Sequence, residues 1–272
     1  MTSSRNISRS IPLPRTIHAH VPFSQVVQHL DHMVAKGVHP ELFFSGDILD
    51  STLPEEIESI AAALASFNLS CTIHAPFMDL NPGSEELLIR EATVRRFRQV
   101  CAAALILKPK SMVFHPGYDR WRYGEKQSSW LGHALDTFRE VLQVTEPIGC
   151  TIAIENIFEE EPSTLLALIE ACNHPRLRHC FDVGHWNLFH APGVGLDEWF
   201  AALGGHIGEV HIHDNNGTRD DHAPVGEGTI DFDLYFRLLA GHAPDAVWTI
   251  EAHSRNCLER AVHNISGFAT SR

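Results

Sequence analysis

The sequence predicts a single-domain (β/α)8 barrel. Three observations carry that expectation. Eight short apolar runs alternate with longer segments of helical period, successive runs start about 25 to 40 residues apart, and no linker or shift in composition divides the chain.

The first run, TIHAHV (16–21), follows MTSSRNISRSIPLPR, which has basic and serine residues but no apolar stretch. Residues 1–15 therefore read as a flexible arm and not as a signal peptide. The second run, ELFFS (41–45), leads into the acidic loop SGDILDSTLPEE (45–56). The third, CTIHAPF (71–77), precedes SEELLIREATVRRFRQVCAAALI, where Ser84 and early acids signal a helix start. The fourth, SMVFHPG (111–117), is followed by YDRWRYGEK (118–126) and then by a helical segment that ends in proline and glycine. The fifth, TIAIENI (151–157), passes through IFEEEPS (157–163) into PSTLLALIEACNHP, a helix bounded by prolines. RHCFDVG (178–184), GEVHIHD (208–214) and VWTIEAH (247–253) complete the set.

Composition narrows the function classes. The 272 residues suit one such barrel, and 44% hydrophobic content supports a sizeable core. No apolar run approaches the roughly 18 residues that span a bilayer. Six scattered cysteines, without CxxC spacing, read as buried reduced thiols of a cytoplasmic protein. A net charge of −13 weighs against an unassisted grip on nucleic acid, although bound metal can reverse the sign of one cleft. No P-loop is present, and no G-x-G-x-x-G opens a helix after a strand.

The placement of polar residues points to the chemistry. Apolar runs end in His74, His115, Glu155, Asp182, His211 with His213, and Glu251. Strand C-termini of a barrel converge on one mouth, so these groups are expected to share a cleft. A carboxylate at the end of a buried strand is costly unless it is paired or metal-bound. Glu155, Asp182, His211 and Glu251 could surround one divalent ion, and mixed imidazole and carboxylate donors suit zinc or manganese. Asp182 and His185 form a D-x-x-H pair, and Asp220 and His222 a D-x-H pair. His211 and His213 point the same way along a strand, so spacing does not choose between them, and His213 serves equally as a substrate contact.

The motifs IHAPF, FHPG, AIEN, DVGH, VHIHD, DDHAPVGEG and IEAH, in this order, resemble the xylose isomerase-like TIM-barrel superfamily. That group joins sugar isomerases and epimerases to nucleases of the endonuclease IV type. The resemblance runs from about residue 16 to the end of the chain. In the isomerase branch it implies one divalent ion on Glu155, Asp182, His211 and Glu251. In the nuclease branch it implies three zinc ions, held by those four together with His74, His115, His185, Asp220 and His222. All nine are present.

Both chemistries fit this set. Its four carboxylates and five neutral imidazoles carry a formal charge of −4. Three divalent ions would leave about +2, suited to a phosphodiester; one would leave about −2, with Glu155 and Glu251 free to exchange a proton through an enediolate. The acidic loops at 45–56 and 157–163 would repel phosphate, so the expected activity is a metal-dependent isomerase or epimerase of a small sugar, sugar phosphate or hydroxy-carbonyl compound. An endonuclease IV-like phosphodiesterase and a metal-dependent lyase are the alternatives, and a barrel that only binds a ligand would keep metal without turnover.

Other features carry less. His20, Phe77, His213 and Trp186 are candidate substrate contacts, with Phe158 a second apolar wall. Arg120, Trp121, Arg122 and Lys126 could receive an anionic group or form a solvated loop. The expected partner is a small polyol or ketose, with neither nucleic acid nor membrane, and assembly into a homo-oligomer is left open.

Overall fold

The structure, a computed structural model, describes residues 16–270; the expected N-terminal arm lies outside them. Eight parallel strands close into a barrel in sequence order. They are β1 (Ile17–Pro22), β2 (Val38–Phe43), β3 (Thr72–His74), β4 (Ser111–Phe114), β5 (Thr151–Glu155), β6 (Leu177–Asp182), β7 (Ile207–Ile212) and β8 (Val247–Ile250). β8 pairs back onto β1 in parallel, with Ile17 opposite Trp248. The predicted fold class is therefore the observed one.

Alternation along each strand sorts the side chains. Leu42, Ile73, Met112, Phe114, Ile152, Ile154, Phe181, Val210, Ile212 and Ile250 are buried in the main apolar cluster beneath the helices. Fully burying each side chain of this kind is worth about 1.5–3 kcal/mol. Inside the barrel the apolar contribution is small: Val113, Ala153 and Cys180 form a separate cluster of their own. The rest of the lumen is polar, with Glu41, Thr72, Ser111, Glu209 and Thr249 all inaccessible to solvent.

Two boundaries differ from expectation, and so does the burial of two cysteines. β2 begins at Val38, upstream of the ELFFS run. His39 and Pro40 disguise its start; pairing with β3 begins only at Glu41, beyond the proline that lacks an N–H. The helix expected from Ser84 starts at Leu87, because Glu86 is the residue whose carboxylate caps the Leu88 N–H, at 3.2 Å. Of the six unpaired cysteines, Cys71, Cys101, Cys150 and Cys180 are buried, whereas Cys172 and Cys257 are partly exposed. No helix among the described residues is long and apolar enough to cross a membrane.

Candidate metal centre

Glu155 ends β5 with its carboxylate buried among imidazoles. Its Oε2 lies 3.2 Å from Nε2 of His74 and 3.2 Å from Nε2 of His115. Its Oε1 lies 3.2 Å from Nδ1 of His185 and 3.3 Å from Nδ1 of His211. The strand register delivers these groups: β5 and β6 bring Glu155 beside Cys180, and β6 and β7 pair Asp182 directly with His211. His74 has its own Nδ1 on the backbone oxygen of Ala75 at 2.9 Å, which turns Nε2 toward Glu155.

Asp182 and Glu251 close the ring. His211 Nδ1 is 3.4 Å from Glu251 Oε1 and 3.8 Å from Asp182 Oδ2. Asp182 is held by a reciprocal pair with Asn156: its N–H donates to Asn156 Oδ1, and Asn156 Nδ2 donates to its carbonyl, each at 2.9 Å. It also caps the short helix Val183–Phe189 by accepting the His185 N–H at 2.6 Å. The loop after β7 contributes the remainder. Asp220 Oδ2 is 3.0 Å from His222 Nε2 and 3.6 Å from His185 Nε2. His222 Nδ1 is in turn 3.7 Å from Glu251 Oε2. All nine residues expected to converge do so.

The two histidines of VHIHD occupy different places. His211 reaches Glu155, Asp182 and Glu251 through one nitrogen. His213 presents Nε2 to both oxygens of Asp182, at 3.2 and 3.1 Å, and Nδ1 to Asp220 Oδ1 at 3.7 Å. It stacks on His222 with centroids 4.1 Å apart, and His222 stacks on His253 at 4.3 Å.

Electrostatics show what the cluster lacks. Burial alone would depress His211, but its neighbours Cys180, Glu41, Glu251 and Glu155, in that order, raise it well above the usual imidazole range. Burial likewise opposes ionisation of Glu155, yet His211 and His115 hold it well below the carboxylate range. Burial, followed by the neighbouring Glu41, pushes Glu209 up to about 8. Buried carboxylates this close to imidazoles call for compensating positive charge, which ring protons or a bound cation can each supply. Nitrogens such as His211 Nδ1, His213 Nδ1 and His222 Nδ1 are buried without an aligned hydrogen-bond partner. His74, Glu155 and His211 offer donor atoms within 4.8 Å of one another, as do Asp182, His185 and His213, and His213, Asp220 and His222. Nitrogen and carboxylate donors in such groups fit zinc or a similar divalent ion.

An aromatic wall faces the carboxylates. Phe77 stacks on His115 at 4.3 Å and lies 5.6 Å from Phe43, which in turn is 5.4 Å from His20. Phe43 went unread in the sequence because it sits mid-run among apolar residues. Glu41 and Glu209 were missed too; a lone acid in an apolar run was their available signal. Trp186, expected at the pocket wall, is buried face to face on His190 at 4.4 Å. Phe158 is 55% exposed and packs edge-on against Phe189, so it does not close the site.

The loop charges are less available than the sequence suggests. The segment expected as an acidic loop is largely helical, Gly46–Ser51 and then Pro54–Ser66, and its Asp50 is bound in bidentate fashion by Arg96, with Nη2–Oδ2 at 2.8 Å. Arg120 pairs with Glu160 at 2.7 Å and lies 4.7 Å from the Trp121 ring, so it is already engaged. Neither the repulsion expected from Asp50 nor the anion grip considered for Arg120 comes from a free charge.

Residues 37–269 match the family described as xylose isomerase-like TIM barrel. The chain belongs to that family. It is 30% identical over 204 residues to an uncharacterized protein of Methanocaldococcus jannaschii, MJ1311, covering 73% of this chain and 69% of the relative. It is 28% identical over 211 residues to a probable endonuclease 4 of Solibacter usitatus, covering 68% and 70% respectively. Among solved structures it resembles a D-tagatose 3-epimerase-like protein at 25% identity and a TM-score of 0.78, covering 93% of this chain and 96% of the other. The similar proteins thus include an epimerase-like protein and a probable endonuclease 4.

Proposed function

We propose that this protein is a divalent-metal-dependent enzyme with a multinuclear centre, hydrolysing a phosphoester attached to a sugar. One observation carries the reading: both oxygens of Glu155 are engaged by imidazoles, Oε2 by His74 and His115, Oε1 by His185 and His211. A carboxylate shared in this way suits a bridge between two subsites, and it has no free oxygen with which to shuttle a proton on carbon. His74 and His115 would hold one ion with Glu155. Asp182, His211 and Glu251 would hold a second with it, and His185, Asp220 and His222 a third. Divalent ions bound there would supply positive charge against a phosphoryl group and lower the pKa of water. Glu251, whose Oε2 faces His213 and His222 at 3.7 Å and which His211 and His222 keep ionised, is placed to orient a water by accepting its hydrogen bond. His20, Phe43 and Phe77 would pack against the sugar face and exclude water on the opposite side. The likeness to a probable endonuclease 4 supports the phosphoester part of this reading.

A second reading is the isomerase or epimerase, with one ion on Glu155, Asp182, His211 and Glu251; the likeness to the D-tagatose 3-epimerase-like protein favours it. One experiment separates the two. Metal content is measured on gently purified protein, which is then offered bis(p-nitrophenyl) phosphate, an abasic duplex, and ketoses in deuterated water. About three ions per chain and phosphodiester cleavage support the hydrolase. About one ion and solvent deuterium on carbon support the isomerase, and neither activity in any metal-loaded sample defeats both.

A further inference from the structure

We propose that Glu41 is a positioning residue for the metal centre: its buried carboxylate faces Nε2 of His211 and occupies that side of the ring, which leaves Nδ1 for the cation held by Glu155, Asp182 and Glu251. The inference rests on the metal reading above.

Topology makes the contact informative. Glu41 belongs to β2 and His211 to β7, and β1 and β8 stand between them in the closed barrel. Glu41 Oε1 nevertheless lies 3.3 Å from His211 Nε2, so the two meet across the lumen. The other face of the same ring meets the carboxylates of the site, with Nδ1 at 3.3 Å from Glu155 and 3.4 Å from Glu251. A ring with one nitrogen on a cation site and the other on a carboxylate is the arrangement that orients metal-binding histidines and raises their basicity.

Glu41 is itself anchored. The Thr72 hydroxyl donates to its Oε2 at 3.1 Å, while the Thr249 hydroxyl sits 2.8 Å from Glu209 Oε1 and 3.5 Å from Glu41 Oε2. These groups are wholly buried. Barrel interiors are ordinarily filled with branched aliphatic side chains, and replacing a buried ionic group by an apolar one of like volume is often neutral or stabilising. Packing alone therefore does not account for an acid at this position; a charge partner for His211 does.

The test compares the wild-type chain with Glu41→Gln, Glu41→Met and Thr72→Val. Cobalt(II) alone is titrated into metal-free protein and followed by its visible spectrum, with melting of the metal-free forms measured alongside. Glu41→Gln and Glu41→Met are expected to weaken cobalt binding about 10- to 100-fold at unchanged capacity and to alter the spectrum. Metal-free melting is expected to fall as His211 loses an acid partner, but a purely structural role would leave the cobalt affinity and spectrum of the folded variants at wild-type values. Thr72→Val is expected to shift affinity in the same direction by less. Wild-type affinity and spectrum in both Glu41 variants overturn the inference alone. So does the loss of one whole ion with the others unaffected, since Glu41 would then be a ligand. A wild-type chain that takes up no cobalt overturns the metal reading and this one with it.

Discussion

Glu155 Oε1 stands 3.3 Å from His211 Nδ1, while Glu155 Oε2 is 3.2 Å from both His74 and His115. One carboxylate thus joins imidazoles from β3, from the residue after β4 and from β7. Glu155→Gln is expected to lose more than one ion per chain, whereas Asp220→Asn, at the rim, loses about one. Metal analysis after gel filtration decides this, and equal losses in the two variants would count against the shared bridge.

The pH dependence has a definite sign. The acids around His74, His185, His211 and His222 outweigh the effect of burial and raise all four above the usual imidazole value. A group raised in the folded state stabilises fully below its unfolded pKa of about 6.5 and loses that contribution as pH rises through the folded value. His20 and His115 are lowered, mainly by burial, so above about 6.5 they are neutral in both states and add no slope. Metal-free protein should therefore melt several degrees lower at pH 8.5 than at pH 6.5. Metal binding competes with those protons, so the stabilisation by added zinc should grow over the same interval. A metal-free melting curve that rises across this range would contradict the assignment.

Asp214 shapes the loop that carries Asp220 and His222. Its carboxylate accepts the N–H groups of Asn215 at 2.8 Å, Gly226 at 3.0 Å, Gly228 at 2.8 Å and Ile230 at 3.3 Å. Its backbone also pairs with Ala223 in both directions, at 2.8 Å. Asp214→Ala removes the acceptor of four N–H groups, two of them on the buried Asn215 and Ile230, and should cost about 2–4 kcal/mol in denaturant unfolding. Residual folded protein should bind less metal at the Asp220 subsite. A change below about 0.5 kcal/mol would show that the loop is held by other means.

At Gly184 the backbone passes close against the His213 ring. A Cβ built there would sit 2.0 Å from Cε1 of His213, a ring that is itself buried against Asp182. Gly184→Ala should displace His213 and lower kcat/KM at least tenfold, with the barrel retained by circular dichroism. Unchanged turnover in this variant would remove His213 from the working site.

Much of this was legible in one sequence. The alternation of runs and helices determined the barrel, because parallel strands joined by helices of that length close in only one common way. The acids and histidines at strand ends pointed to His74, His115, Glu155, Asp182, His211 and Glu251, because a barrel gathers its strand C-termini at one mouth; His185, Asp220 and His222 lie beyond the strands and joined them through the family resemblance. Tertiary structure alone decided the rest. Glu41 reads in sequence as the first residue of ELFFS, and only closure of the sheet carries it across the lumen to His211. Arg96 reads as one charge on a solvated helix, and only packing of that helix beside the segment after β2 brings it to Asp50. Local pattern specifies which face of a strand or helix a side chain takes; which distant partner stands opposite depends on the register and curvature of the closed barrel, and no single segment encodes either.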